Sequence, residues 1–171
     1  MATFKDHFSG HASGYAQYRP RYPAALYADL ADLCERHALA WDCGTGNGQA
    51  AVGLTRHFAR VVATDASAEQ ISHAEPHERV AYHVAPAGRS PLADASADLV
   101  TVAQAIHWFD FDAFYAEVRR VLTPGGVLAV WTYGLQRVLP RIDPVHDLFY
   151  HDIVGPYSPP ERRYVDEAYR T

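Results

Sequence analysis

The residues best suited to chemistry are Asp42-Cys-Gly44-Thr45-Gly46-Asn-Gly48, an acid followed by three glycines at alternate positions. Glycine lets a backbone adopt φ > 0 and come close to a ligand. A dinucleotide fingerprint needs Gly-x-Gly-x-x-Gly, with the pyrophosphate on a helix N-terminus. Counted from Gly44, the sixth position is Gln49, which breaks that pattern; counted from Gly46, the match is imperfect and ends on Ala51. An acid two residues before the first glycine repels a pyrophosphate and suits a cation such as an amino-acid ammonium. A second acid, Asp65, closes the apolar run Arg60-Val-Val-Ala-Thr-Asp65. A third cluster is Gln104-Ala-Ile-His107-Trp108-Phe109. Its imidazole has an ordinary pKa of about 6.5 and suits a general base near neutral pH. A bland role for His107, orienting backbone or closing a pocket, stands equally open, and Trp108 and Phe109 read first as core or wall.

Buried strands and helices alternate so as to bring these clusters together. Leu26, Leu30, Leu33 and His37 recur at helical spacing and predict a helix over about 24–37. Residues 39–43 read as a buried strand entering the glycine turn, and 49–59 as the helix after it. Strands follow at 60–65, 80–84, 97–103 and 127–133. Ser67 is placed to cap a helix over 67–74, and Asp110 a helix carrying Phe111, Phe114, Tyr115, Val118 and Val121. Residues 85–96 read as loop, 123–126 as a turn, and the tail as two short helices near 143–152 and 159–170. Five alternations with short connections predict an α/β fold, a mainly parallel sheet wound with helices on both faces. Ligands in such sheets bind beyond the carboxyl ends of the strands, where all three clusters fall. The chain divides into an arm or lid over 1–23, a ligand-binding domain over 24–133, and a segment over 134–171 that is either a tail or the start of a substrate-cap segment.

Composition narrows the function. The 171 residues are 49% hydrophobic and 20% charged, ordinary for one globular domain with a small appendage. The formal charge of -5 argues against a polyanionic partner, so no nucleic acid is expected. No apolar run reaches the roughly 18 residues of a membrane span, and the N-terminus has no signal core. A cytoplasmic protein with Cys34 and Cys43 as packed thiols is the expectation. Ten histidines raise the question of a metal. His73 and His77 have ligand-like spacing but Pro76 interrupts them, and His146, Asp147, His151 and Asp152 lack a third ligand set, so none is expected. Asp94 and Asp98 flank a strand and read as turn residues.

Taken in order, WDCGTGNGQAA at 41–51, VVATDAS at 61–67, SPLADASADLVTVAQAIHWFD at 90–110 and LTPGG at 122–126 resemble the class I S-adenosylmethionine-dependent methyltransferases. Within them the chain is similar to the type 11 small-molecule group, in which an arm such as Tyr18-Arg-Pro-Arg-Tyr-Pro23 precedes the fold. The resemblance covers about 4–133. It implies a Rossmann-like sheet, S-adenosylmethionine as cofactor, S-adenosylhomocysteine as product, and in-line methyl transfer to a small-molecule O, N or C acceptor. Carried onto this chain, Asp42 and the backbone of Gly44, Thr45, Gly46 and Gly48 hold the methionine part of the cofactor. Asp65 accepts from both ribose hydroxyls and Ala66 lines the adenine. Ala87 and Gly88 stand where the family often has an acid, and Gly88 offers no side chain to the adenine amine. Gln104, His107 and Trp108 pass beside the sulfonium and face the acceptor. Tyr15, Tyr18 and Tyr22 form a lid whose ring faces suit a cation, and Arg19 pairs with the cofactor carboxylate.

The resemblance implies seven strands, of which the chain supplies about five. The expectation is therefore a piece of a longer protein, or a fifth strand whose open edge is covered by the tail or by a second copy in a homodimer. A non-catalytic S-adenosylmethionine-binding module and, more distantly, a nicotinamide-dependent oxidoreductase or a nucleic-acid methyltransferase are the alternatives.

Overall fold

The computed structural model describes residues 21–170, which fall into two compact units meeting between Trp131 and Thr132. The first unit runs α1 (Ala24–Asp32), β1 (Leu39–Cys43), α2 (Gln49–Leu54), β2 (Arg60–Asp65), α3 (Ala68–Ser72), β3 (Val80–Val84), β4 (Ala97–Ala103), α4 (Phe111–Val121) and β5 (Leu122–Trp131). All five strands are parallel, in the order β3-β2-β1-β4-β5. The chain therefore builds outward from β1 to β3, then crosses back to place β4 on the other side of β1. That reversal opens a crevice between the carboxyl ends of β1 and β4, the usual ligand position in such sheets.

Side-chain alternation sorts the core into two layers. Ala40, Val61, Ala63 and Leu99 pack on one face with Tyr27, Leu30 and Ala31 of α1 and Ala50, Ala51 and Leu54 of α2. On the other face Trp41 is fully buried and packs on Phe114 of α4, ring centroids 6.4 Å apart. Its indole N–H donates to Thr64 Oγ1 at 2.9 Å, so the burial leaves no orphaned donor. β1 and β4 are buried along almost their whole length, with Asp42, Asp98 and Thr101 the polar residues inside them, whereas β3 lies at an edge and is largely exposed.

Several element ends differ from the sequence expectation. The first helix stops at Asp32, with Leu33 65% exposed; the buried face is Tyr27, Leu30, Ala31 and Cys34 instead. His37 lies beyond the helix and reaches back to the Ala31 carbonyl at 2.9 Å, an end-capping contact. The helix after the glycine loop ends at Leu54, where Thr55 Oγ1 turns back to the Val52 carbonyl at 2.7 Å. The segment 123–126 is not a turn that precedes a strand. Leu122 already pairs with Ala97, and pairing resumes at Val127 with Leu99, so four residues bulge opposite Asp98. Gly125, at φ +78°, makes that bulge feasible.

The second unit holds α5 (Asp143–Asp147), a π-helical stretch (Leu148–Val154), a 3-10 turn (Gly155–Tyr157) and α6 (Arg162–Asp166). The first expected tail helix thus runs on as a widened turn, and the second is confined to five residues. Left-handed Ala168 and Tyr169 follow it. Arg137 pairs with Asp147 at 2.7 Å, and Tyr150 donates to Asp166 Oδ1 at 2.9 Å. Among the described residues no helix is long and apolar enough to cross a membrane.

Candidate functional site

At the carboxyl end of β1, Gly44, Gly46 and Gly48 all have positive φ, +71°, +56° and +89°. The spacing is thus a conformational demand: every second residue turns left-handed, which other residues do only with strain. Close packing adds to the demand at two of them. A Cβ on Gly44 would stand 2.6 Å from Ala105 Cβ and 3.0 Å from the Phe109 ring, and one on Gly48 would run into the Tyr82 hydroxyl. The glycine loop therefore lies directly against the loop that leaves β4.

Asp42 points beneath this loop. It is 1% exposed, and its carboxylate accepts from Thr45 Oγ1 at 2.5 Å, from Thr101 Oγ1 at 2.8 Å and from the Ala51 backbone N–H. Burial pushes its carboxyl up to about 6, against the pull of those three bonds. What Asp42 touches is protein on every side, so it ties β1, β4, the loop and α2 together. Thr45 likewise turns its hydroxyl inward and presents only backbone. Cys43 is buried beside it, and burial raises its thiol well above the ordinary range, as suits a packed thiol.

Asp65 ends the neighbouring strand. Its Oδ2 accepts from the Gly46 N–H at 2.8 Å and its Oδ1 from the Ser67 N–H at 2.9 Å, spanning Ala66. The acid of β2 and the glycine loop of β1 are therefore one site. Ser67 caps α3 as expected, accepting from the Gln70 N–H at 3.2 Å. Ala85 N–H donates to the Asp65 carbonyl at 2.9 Å, which brings the start of the 85–96 loop to the same place.

Gln104 leaves β4 with φ +59°, left-handed without being glycine, and its N–H is held by the Trp131 carbonyl at 3.0 Å. Strained backbone of this kind clusters at functional sites. The chain then forms a 3-10 turn over Ile106–Trp108 in which His107 is 9% exposed, its ring centroid 4.9 Å from that of Trp108. Phe109 packs on Phe114 at 5.1 Å, so it is wall. Tyr22 sets its ring edge-on to Trp131 at 5.4 Å, at the carboxyl end of β5. Tyr15, Tyr18 and Arg19 lie outside the described residues.

Thus Gly44, Thr45, Gly46, Gly48, Asp65, Ala66, Gln104, His107 and Trp108 all fall at strand ends or on the loops that follow them, at one end of the sheet. Ala87 and Gly88 follow β3 at that same end, with Gly88 pressed on α4: a Cβ there would stand 2.7 Å from Ala113 Cβ. Two residues were missed by sequence reasoning. Asn47 Oδ1, inside the glycine loop, is buried with no hydrogen-bond partner among the described residues. Glu117 of α4 is buried and accepts from Ser90 across the 85–96 loop. The first could have been suspected from its place between two glycines; the second had no signal. His73 and His77 do not meet: His73 Nδ1 lies 2.9 Å from the Glu69 carbonyl and His77 Nε2 3.4 Å from Thr55 Oγ1. Among the described residues no group of three or more metal-ligating side chains exists. Asp98 is not a turn residue but a strut at the far end of the sheet. It accepts from the N–H groups of Ala38 and Leu39 at 2.8 and 3.2 Å, with Arg36 at 3.4 Å.

The five-stranded order and a glycine loop joined to the acid of the next strand define a Rossmann-like nucleotide- or cofactor-binding domain. The chain belongs to the type 11 methyltransferase-domain family, whose pattern matches residues 41–130. A methyltransferase-family protein of Dictyostelium discoideum is 39% identical over 97% of this chain and 65% of its own length. A methyltransferase of Aspergillus candidus is 33% identical over 70% of this chain and 41% of its own length. A solved structure from Anaeromyxobacter dehalogenans, assigned as a type II methyltransferase, superimposes with a TM-score of 0.80 at 49% identity, over 90% of this chain and 65% of that one. The chain thus spans less than two thirds of the length of these relatives.

Proposed function

We propose that this chain binds S-adenosylmethionine at the β1–β2–β4 loop ends and transfers its methyl group to a small-molecule acceptor. The observation that carries the reading is the Asp65–Gly46 bond of 2.8 Å, which joins a ribose-type acid to a glycine loop in one site. The residues present fit the group. Asp65 is an acceptor suited to paired hydroxyl donors, the unpartnered Asn47 Oδ1 is another buried acceptor, and backbone at Gly44–Gly48 is open to close approach. When bound, the cofactor supplies an electrophilic methyl on a sulfonium.

The protein's part is alignment and exclusion of water. Asp65 holds the ribose and the loop backbone holds the amino-acid end. Asp42 acts beneath them, fixing Thr45 and the loop to β4. Gln104 and Trp108 wall the acceptor side. Orientation of this kind supplies about 7–11 kcal/mol in favourable cases. His107 is the residue we assign as base where the acceptor holds a proton, as a phenol or hydroxyl does; a carboxylate acceptor needs none. The charge of -5 favours a small acceptor over nucleic acid, and the two packed thiols accord with a cytoplasmic setting.

The test is calorimetry with S-adenosylhomocysteine and, in parallel, NADH. Micromolar binding of the first and none of the second supports the reading. The reverse overturns it in favour of an oxidoreductase.

A further inference from the structure

Residues 85–96 have no regular structure, yet they are fastened along their whole length. Ala85 N–H is held by the Asp65 carbonyl at 2.9 Å. Gly88 lies flat against Ala113 of α4. Ser90 gives both its N–H and its hydroxyl to Glu117 Oε1, at 2.6 and 2.7 Å. Arg120 grips the other side of the same carboxylate, Nε to Oε2 at 2.9 Å, and reaches Asp94 at 2.7 Å. Ala95 and Ser96 N–H close the segment on the carbonyls of Arg120 and Val121, each at 2.8 Å. Glu117 is 7% exposed, and the Arg120 side-chain bonds lead the causes that hold its carboxyl down at about 2.

This clamp joins the buried Glu117 to a partly exposed Arg120 and an exposed Asp94. Its effect is to fix the backbone of Pro86–Arg89 beside Asp65. That stretch reads Pro-Ala-Gly-Arg and has no acidic side chain. Any acceptor it offers to a base amine must be a main-chain carbonyl, and a main-chain carbonyl selects only if it is held in place. Resting on the methyltransferase reading above, we propose that Glu117 is a positioning residue. It clamps the 85–90 loop so that backbone, in place of a side chain, reads the 6-amino group of the cofactor's adenine.

The test compares S-adenosylhomocysteine with S-inosylhomocysteine, in which that amine is replaced by a carbonyl oxygen. One net hydrogen bond corresponds to about tenfold in affinity, so the wild-type protein should prefer the adenine ligand by about tenfold or more. Glu117→Ala frees Ser90, and Gly88→Ala wedges the loop off Ala113; each should bring the two affinities to within about threefold. Asp98→Ala, which loosens the opposite end of the sheet, should keep the preference. A merely structural clamp lowers both affinities together and leaves their ratio unchanged. Folding of each variant is checked by thermal melting, and if Glu117→Ala does not fold, Gly88→Ala decides. A wild-type protein without preference, or folded variants that retain it, overturn the inference alone. A wild-type protein that binds neither ligand overturns the methyltransferase reading and the inference with it.

Discussion

Replacing Asp42 by Asn should change how stability depends on pH, and the size follows from the burial of the carboxylate. Its pKa rises from 3.8 to about 6 on folding, chiefly by desolvation. Below about pH 4 the group is protonated in both the folded and the unfolded chain and contributes no pH dependence. Between about 4 and 6 the folded protein holds a proton that the unfolded chain has released, so stability falls as pH rises. Above about 6 both are ionised and the full penalty stands. At about 1.36 kcal/mol for each pH unit between those two values, the penalty comes to about 3 kcal/mol as an order of magnitude. Asn keeps a carbonyl acceptor and has no charge to bury, while its amide can meet a threonine hydroxyl turned to accept. Whatever constant offset that exchange brings, the stability of Asp42→Asn minus that of wild type should grow by about 3 kcal/mol from pH 4 to pH 7.5. Urea denaturation of both proteins across that range measures it. A difference that stays flat, or that shrinks as pH rises, refutes the picture of a buried, ionised strut.

Three other outcomes follow from the same structure. Gly48→Ala meets a φ of +89° and the Tyr82 hydroxyl, which is tied to the Glu75 carbonyl at 2.7 Å. It should lose about 2–3 kcal/mol by denaturant titration, part of it restored by Tyr82→Phe; a neutral result contradicts the close packing. Gln104→Gly relieves a non-glycine residue at φ +59° and should raise stability by about 1 kcal/mol while weakening S-adenosylhomocysteine binding; a lowered melting temperature refutes the strain. Asp98→Ala strips acceptors from the N–H groups of Ala38 and Leu39 and should lose about 2–4 kcal/mol with the ligand affinity unchanged; a comparable loss of affinity would contradict its place at the far end of the sheet.

Much of the fold was legible in the sequence because the strands are buried runs bounded by turn residues. Leu39–Cys43, Arg60–Asp65, Val80–Val84 and Ala97–Ala103 fall where apolar patterning puts them. The start of β5 did not, because Pro124-Gly125-Gly126 carries every mark of a turn while the chain on either side stays paired with β4. Leu33 was misread because helical spacing alone does not say which of two adjacent stripes meets the sheet; Ala31 and Cys34, less conspicuous, are the buried ones. The candidate site was legible as residue types at strand ends, not as contacts. Asp42 shares a strand face with Ala40, and that alternation already turns its carboxylate toward the α1 and α2 layer, but its bonds to Thr45 and Thr101 could not be read from spacing. Glu117 resembles any acid on the solvated side of a helix. Its partner lies 27 residues away in a segment without periodicity, so only the folded chain brings them together.

In the proposed function Asp65 holds the ribose of S-adenosylmethionine. Because Asp65 also anchors Gly46 and Ser67, its removal alone would mix binding with loop order. A thermodynamic cycle separates them: wild type and Asp65→Ala, each titrated with S-adenosylhomocysteine and with its 2′-deoxy analogue. A hydrogen bond to a charged group is worth about 1.5–3 kcal/mol, so loss of the 2′-hydroxyl should weaken binding about tenfold or more in the wild type. In Asp65→Ala the two ligands should bind alike. An equal penalty for the missing hydroxyl in both proteins would contradict the assignment.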